Sequence, residues 1–203
     1  MHPYTIIFIG RSGCGKSTQS EAMHKLFSEH PDFAKAGVFY LQTGDAFREF
    51  TKQEGYTNEL AREYSTDGRR QPDFLAVWMW THLFVTKLKK GENVILDGTP
   101  RSIIEAGVID TSFDFYKFSK PLIIHMDVSR EWAEERLKAR HRDDDKAIEA
   151  IERRLKWYET DVEPVLEHYR QSPHVTYCRI KGEQPIEDVK RDIMKAVGLE
   201  SYL

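Results

Sequence analysis

Lys16 and Ser17 close the run Gly10-Arg11-Ser12-Gly13-Cys14-Gly15-Lys16-Ser17, which fits G-x-x-x-x-G-K-[ST] at every fixed position. That spacing serves one chemistry, the holding of phosphate. Glycines reach backbone conformations barred to other residues, so successive N–H groups can curl around an anion. A helix that starts at the lysine adds its free N–H groups and the positive end of its dipole. Lys16 is then placed for β- and γ-phosphates and the Ser17 hydroxyl for Mg²⁺. A glycine-rich turn can match such a pattern by chance. Here the apolar run Tyr4–Ile9 precedes the loop as a strand, and a helical pattern follows it.

Two further groups have the residue types for the same chemistry. Val94-Ile95-Leu96-Asp97 is an apolar strand ending in a carboxylate, the usual second anchor of Mg²⁺ beside a phosphate loop. Thr43-Gly44-Asp45 with Arg48, and Asp97-Gly98-Thr99-Pro100-Arg101, each set an arginine just past a strand end. In an open parallel sheet, ligands bind outside the carboxyl ends of the strands, so Arg48 and Arg101 should share a crevice with Lys16. Guanidinium forks suit phosphate oxygens. Two of them beyond the lysine indicate a second phosphate group, that of an acceptor. Taken singly, either arginine is equally well a surface ion pair.

The elements that must position these residues follow from periodicity. Apolar runs recur at Val38–Leu41, Val94–Leu96, Leu122–Met126 and Val175–Ile180, making five strands with the first. Helical patterns separate them, the rhythm of a parallel sheet covered on both faces. Helices are expected over 16–29, 45–53 and 58–66. Another should begin with Pro72 in its first turn, bury Phe74, Val77, Trp78, Phe84 and Leu88, and stop at Gly91. Trp78 and Trp80 have rings that can stack a base, but packing explains them as well. The longest helix should span 146–169, with the stripe Ile148, Ile151, Leu155, Tyr158, Val162, Val165 and Tyr169, and Pro164 should kink or break it. A last helix is expected over 186–197.

Composition narrows the class. The chain has 203 residues, 40% hydrophobic and 31% charged, with a net charge of −3, which suits one soluble domain over 1–203. No basic excess points to nucleic acid and no polybasic block to a membrane. The start carries no charged segment before its short apolar run, which excludes a signal peptide or a span in this reading. Cys14 and Cys178 are the only cysteines; they form no metal-ligand cluster, and a reducing cytoplasm fits them. Cys14 reads as a small filler in the loop rather than a nucleophile.

With these residues in view, the chain resembles the adenylate kinase family of nucleoside monophosphate kinases over nearly its whole length. Gly10–Thr18 is similar to the family's glycine loop, Thr43-Gly44-Asp45 with Arg48 to its monophosphate-site motif, and Leu96-Asp97-Gly98-Thr99-Pro100-Arg101 to L-D-G-F-P-R. Gly68-Arg69-Arg70-Gln71-Pro72-Asp73 has the spacing of G-x-L-V-P-D. Arg142-Asp143-Asp144-Asp145 and Arg153-Arg154-Leu155 resemble the R-x-D-D…R-L stretch, and Ile180-Lys181-Gly182-Glu183 the loop bordering the donor adenine. The resemblance implies a P-loop NTPase three-layer α/β fold with a five-stranded parallel sheet. It adds a small helical monophosphate-binding insertion at about 44–73 and a short lid at about 137–146. It implies a monomer that binds ATP and a nucleoside monophosphate, AMP by default, with Mg²⁺ on Ser17 and Asp97. ATP would lie along Gly10, Ser12, Gly13, Cys14, Gly15, Lys16, Ser17 and Thr18, with Glu183 near its base. Thr43, Gly44, Arg48, Gln71, Gly98, Arg101 and Glu105 would hold the acceptor. Arg142 and Arg154, with Arg136 and Arg140, would close over the moving phosphoryl group.

Three departures matter. Only a few residues separate Arg136 from Asp143, so no zinc-type lid exists. Spacing leaves Arg153 and Arg154 as alternatives for the closing arginine; Arg154, directly before Leu155, is preferred. Glu105 stands where the family usually reads the acceptor base with glutamine. An ionised carboxylate only accepts, so against adenine N1 it opposes two acceptors, whereas it suits the N–H groups of guanine or uracil. Alternatively, Glu105 turns away from the base. The competing functions are a related small-molecule kinase and a nucleotide-binding module without turnover; a GTPase is disfavoured because N-K-x-D is missing.

Overall fold

The computed structural model describes residues 3–140 and 147–203. Five parallel strands form one sheet in the order β2-β3-β1-β4-β5: β1 Thr5–Gly10, β2 Val38–Gln42, β3 Asn93–Asp97, β4 Leu122–Asp127 and β5 Thr176–Lys181. Alternation along β1 sorts its side chains onto two cores. Ile6 and Phe8 join one layer with Met23, Phe27, Leu137, Leu155 and Ile193. Ile7 and Ile9 join the other with Trp80, Ile109, Val162 and Tyr169. A sheet covered on both faces has no polar side, which is why its central strands read as unbroken apolar runs. The helices are α1 Lys16–Glu29, α2 Pro31–Ala34, α3 Thr43–Phe50, α4 Tyr56–Thr66, α5 Asp73–Lys87, α6 Ile103–Phe115, α7 Arg130–Ala139, α8 Ile148–Trp157, α9 Glu163–Gln171 and α10 Ile186–Ala196. Phe47, Ala61, Leu75, Ala76 and Met79 make a small third core, so α3 and α4 form a helical insertion packed on α5. Among the described residues, no helix is long and apolar enough to cross a membrane. Both cysteines are free thiols.

Three expectations are corrected. Only part of the face predicted for α5 is buried: Phe84 is, and Val77 and Leu88 are half-buried against the core, but Phe74 is 71% and Trp78 47% exposed, and Leu75, Ala76, Met79 and Trp80 are buried instead. This helix is apolar nearly all round, so periodicity carried no phase. Pro72 lies just before the helix, where its carbonyl accepts from Leu75 and Ala76 N–H groups. The helix ends at Lys87, and Gly91 instead takes φ 85° in the turn into β3.

The long helix is interrupted by a π-helical turn, Tyr158–Val162, between α8 and α9. Pro164 has no N–H to give residue 160, and its ring would clash with that carbonyl in an α-helix. A wider turn upstream relieves the clash. Ile148 is exposed rather than buried, and the rest of the stripe is core.

His125, buried in β4, lies between two phenols. Its Nδ1 is 2.6 Å from the Tyr177 hydroxyl and its Nε2 3.3 Å from that of Tyr158. Burial pulls its pKa down from 6.5 to about 4, against the weaker pull of Asp127. The folded state therefore favours the neutral ring. The stability it contributes is complete above pH 6.5 and is lost as pH falls toward 4, a loss of about 3 kcal/mol at most. Denaturant melts across this window should show that loss in the parent, and His125→Gln should flatten it. An unchanged slope in the variant would remove His125 from the account.

Candidate active site

At the carboxyl ends of β1, β2 and β3 lies a cavity of about 600 Å³. The phosphate loop forms its floor. Gly13 and Gly15 take φ 87° and 92°, and a Cβ on Gly13 would meet the Ala133 carbonyl oxygen at 2.7 Å. Glycine is therefore required there both for conformation and for the close approach of α7. Lys16 Nζ lies over the loop, donating to the carbonyls of Gly10 at 2.7 Å and Arg11 at 3.0 Å. Ser17 Oγ donates to Asp97 Oδ2 at 2.7 Å, and Ser20 Oγ reaches the same oxygen at 3.3 Å. Asp97 is buried. A hydroxyl and a carboxylate side by side are hard oxygen donors, the set that Mg²⁺ uses when phosphates and waters complete its octahedron. The residues present thus fit Mg²⁺.

The side where the sequence places the acceptor is built on β2 and β3. Thr43 Oγ1 donates to the Gly98 carbonyl at 2.8 Å and the Asp97 carbonyl at 3.1 Å, tying the two strand ends together. Gly98 has φ 78°, and a Cβ there would lie 2.7 Å from Arg101 Nη2. Any other residue would push that guanidinium aside. Arg101 Nε donates to the Gly98 carbonyl, Nη2 donates to Thr43 Oγ1 at 3.4 Å, and the group lies 5.8 Å from the Trp157 ring centre. Burial lowers its pKa, opposed by Glu105 and Asp97, so its charge is incompletely compensated and gains from an incoming anion. Arg48 pairs with Asp45 within α3.

Lys16, Ser17, Thr18, Gly44, Arg48, Gln71, Asp97, Arg101, Arg136, Arg140 and Arg154 all border this cavity, as do Ser12, Gly13 and Gly15. Gly10 ends β1, and Cys14 is buried under the loop, its Sγ 3.6 Å from Lys16 Nζ. Glu183 does not border the cavity; its Oε1 accepts from the Ser129 N–H at 2.6 Å. Glu105 does not border it either. It is 2% exposed, accepts from Thr99 Oγ1 at 3.0 Å, and burial raises its pKa despite Arg101 nearby. Arg142 and the aspartates 143–145 lie outside the described residues.

The two adjacent arginines diverge. Arg154 borders the cavity, whereas Arg153 Nη1 donates to the Asp67 carbonyl at 2.8 Å on the surface. Arg154→Met should lower kcat by about a hundredfold or more, and Arg153→Met should stay within about threefold. Equal losses in parallel turnover assays would reject the assignment of Arg154.

Sequence reading missed Trp157 and Arg70, which also border the cavity. Trp157 Nε1 donates to the Gly68 carbonyl at 3.2 Å. A signal for it existed, since Trp157 falls off the apolar stripe of its helix and comes two residues after the Arg153-Arg154-Leu155 segment. Arg70 had no such signal, because its partner Asp161 is 91 residues away.

The charge pattern is lopsided. Among the described residues, eight cations (Lys16 and Arg48, Arg69, Arg70, Arg101, Arg136, Arg140 and Arg154) border the cavity against two carboxylates, Asp45 and Asp97, in a chain of net charge −3. Comparisons with known proteins agree with this anion-binding geometry. The family model described as adenylate kinase matches residues 8–174. An adenylate kinase of Parabacteroides distasonis is 30% identical over 198 residues, covering 95% of this chain and 97% of its own. One from Bacteroides fragilis is 30% identical over 195 residues, with the same coverage, and one from Caldicellulosiruptor bescii is 24% identical over 229 residues, covering 96% and 99%. A phosphate loop, a parallel sheet in the order 2-3-1-4-5 and a match of this extent make the chain a member of the adenylate kinase family of phosphotransferases.

Proposed function

We propose that the chain reversibly transfers the γ-phosphoryl group of Mg·ATP to a nucleoside monophosphate, with AMP, the acceptor carried by its relatives' name, as the default. The observation that carries this reading is the cationic cavity spanning both the phosphate loop and the half-buried Arg101. One end suits the phosphates of the donor on Lys16, Thr18 and the loop amides. The other suits an acceptor phosphate on Arg101 and Arg48, with Thr43 and Gly98 beneath it. Ser17 and Asp97 would hold Mg²⁺, which supplies charge neutralisation to the donor phosphates when bound. Arg154, Arg136 and Arg140 line the same cavity and would neutralise charge spread over the moving group. The acceptor oxygen is already anionic, so no general base is required; positioning and electrostatics supply the rate. We further propose a monomer in the cytoplasm, with 44–73 closing on the acceptor and 137–146 acting as a short lid that excludes water.

A second reading, a kinase on this scaffold preferring GMP or UMP, is favoured by one observation: the acceptor side carries the Arg70–Glu105 ion pair. The test is a transfer assay with Mg·ATP against AMP, GMP, CMP, UMP and their deoxy forms, with products separated by chromatography. Diphosphate from at least one acceptor, lost without Mg²⁺, supports phosphotransfer. ATP binding with no diphosphate from any acceptor would reject it in favour of a binding module.

A further inference from the structure

The acceptor wall carries a charged network that the transfer itself does not use. Arg70 sits at its centre. Its Nη1 donates to Asp73 Oδ1 at 2.7 Å, to the Gln71 carbonyl at 3.3 Å and to Glu105 Oε1 at 3.4 Å, and its Nε donates to Asp161 Oδ2 at 2.9 Å. These bonds fix the guanidinium and leave Nη2 with no hydrogen bond among the described residues. Arg70 borders the cavity, while Glu105 does not. The carboxylate therefore cannot meet a base in the cavity directly. Next to Arg70, Gln71 is 8% exposed; its Nε2 donates to the Ala61 carbonyl at 2.8 Å and to Ser65 Oγ at 3.0 Å, and its Oε1 is buried with no partner.

We propose that Arg70 reads the acceptor base, that Glu105, Asp73 and Asp161 act only by positioning it, and that this makes GMP an acceptor at least equal to AMP. The inference rests on the monophosphate-kinase reading above. A guanidinium is donor only. Guanine sets two acceptors, O6 and N7, side by side, and the two N–H groups of Nη2, the one nitrogen left over, can face that pair. Adenine sets an amino donor beside N7, so donor meets donor. Holding the fork with three carboxylates removes the rotamer freedom that would let it turn away from the wrong base.

The experiment compares kcat/KM for GMP and AMP at saturating Mg·ATP in the parent, Arg70→Lys, Arg70→Leu and Glu105→Gln. The GMP to AMP ratio should be at or above one in the parent. It should fall by about tenfold in both Arg70 variants, because leucine has no donor and the lysine ammonium sits on a flexible stem that the carboxylates do not hold in one orientation, and by less in Glu105→Gln. Arg70→Lys keeps a cation among the carboxylates, so it serves if the leucine variant fails to fold. Calorimetric titration of each variant with GMP and with AMP, without ATP, should show the same shift in Kd ratio. A parent ratio well below one, or a ratio unmoved by both Arg70 variants while transfer persists, would overturn the assignment and leave the kinase intact. No transfer to any monophosphate would overturn both.

Discussion

Lys16→Met should abolish transfer, lowering kcat by about a thousandfold or more, while the fold and the acceptor site stay in place. The lysine stands where the phosphate loop enters α1, and among the described residues its Nζ bonds to loop atoms alone: the Gly10 and Arg11 carbonyls and Cys14 Sγ. None of these bonds belongs to the sheet's core, and methionine has nearly the same length and shape. Loss should therefore concentrate in chemistry. Interactions that strengthen as charge moves toward the β,γ-bridge raise kcat rather than lower KM. Single-turnover measurement of the transfer step, with thermal melts as the control, separates the two. Turnover within tenfold of the parent would show that the neighbouring arginines suffice, and would move the catalytic charge from Lys16 to Arg154 or Arg136.

How much of this was legible in the sequence depends on the range of each interaction. Gly10–Ser17 and Asp97 could be read because a phosphate loop is local: strand, turn and helix start are contiguous, and each residue type has one physical purpose there. The five strands were legible because a sheet covered on both faces leaves unbroken apolar runs. The phase of α5 was not, since Phe74 and Trp78 are as apolar as the buried Leu75 and Trp80. The π-turn was half legible: Pro164 announced a disturbance, but not that it would be absorbed six to two residues upstream, at Tyr158–Val162. Glu105 shows the limit most clearly. Its place in the chain left two alternatives, reading the base or turning away from it; in the structure it lies off the cavity, bonded to Arg70 and Thr99. Those contacts depend on Arg70 and Asp161 arriving from distant elements, which no spacing rule encodes.

Arg101 should give the second large effect, confined to the acceptor. Arg101→Met should lower kcat/KM for the monophosphate by about a hundredfold to a thousandfold and leave ATP binding within about threefold of the parent. Its Nε and Nη2 span the Gly98 carbonyl and Thr43 Oγ1, a two-point grip that aims the remaining donors into the cavity. An ammonium cannot reproduce that grip, so Arg101→Lys should recover little, even though the charge is restored. Stability is a separate readout. Burial disfavours the Arg101 charge, while Glu105 and Asp97 favour it, so its removal trades two opposed contributions and should move the melting temperature by only a few degrees. A large fall in melting temperature would mean that Arg101 holds the β2 and β3 ends together as a structural clamp. An equal rise in KM for ATP and for the monophosphate would mean that it serves the cavity's general potential rather than the acceptor phosphate. Only a loss at the acceptor with ATP binding preserved fits a cation held ready at the acceptor end, because the proposed function gives the donor phosphates to Lys16 and the loop and the acceptor phosphate to Arg101 and Arg48.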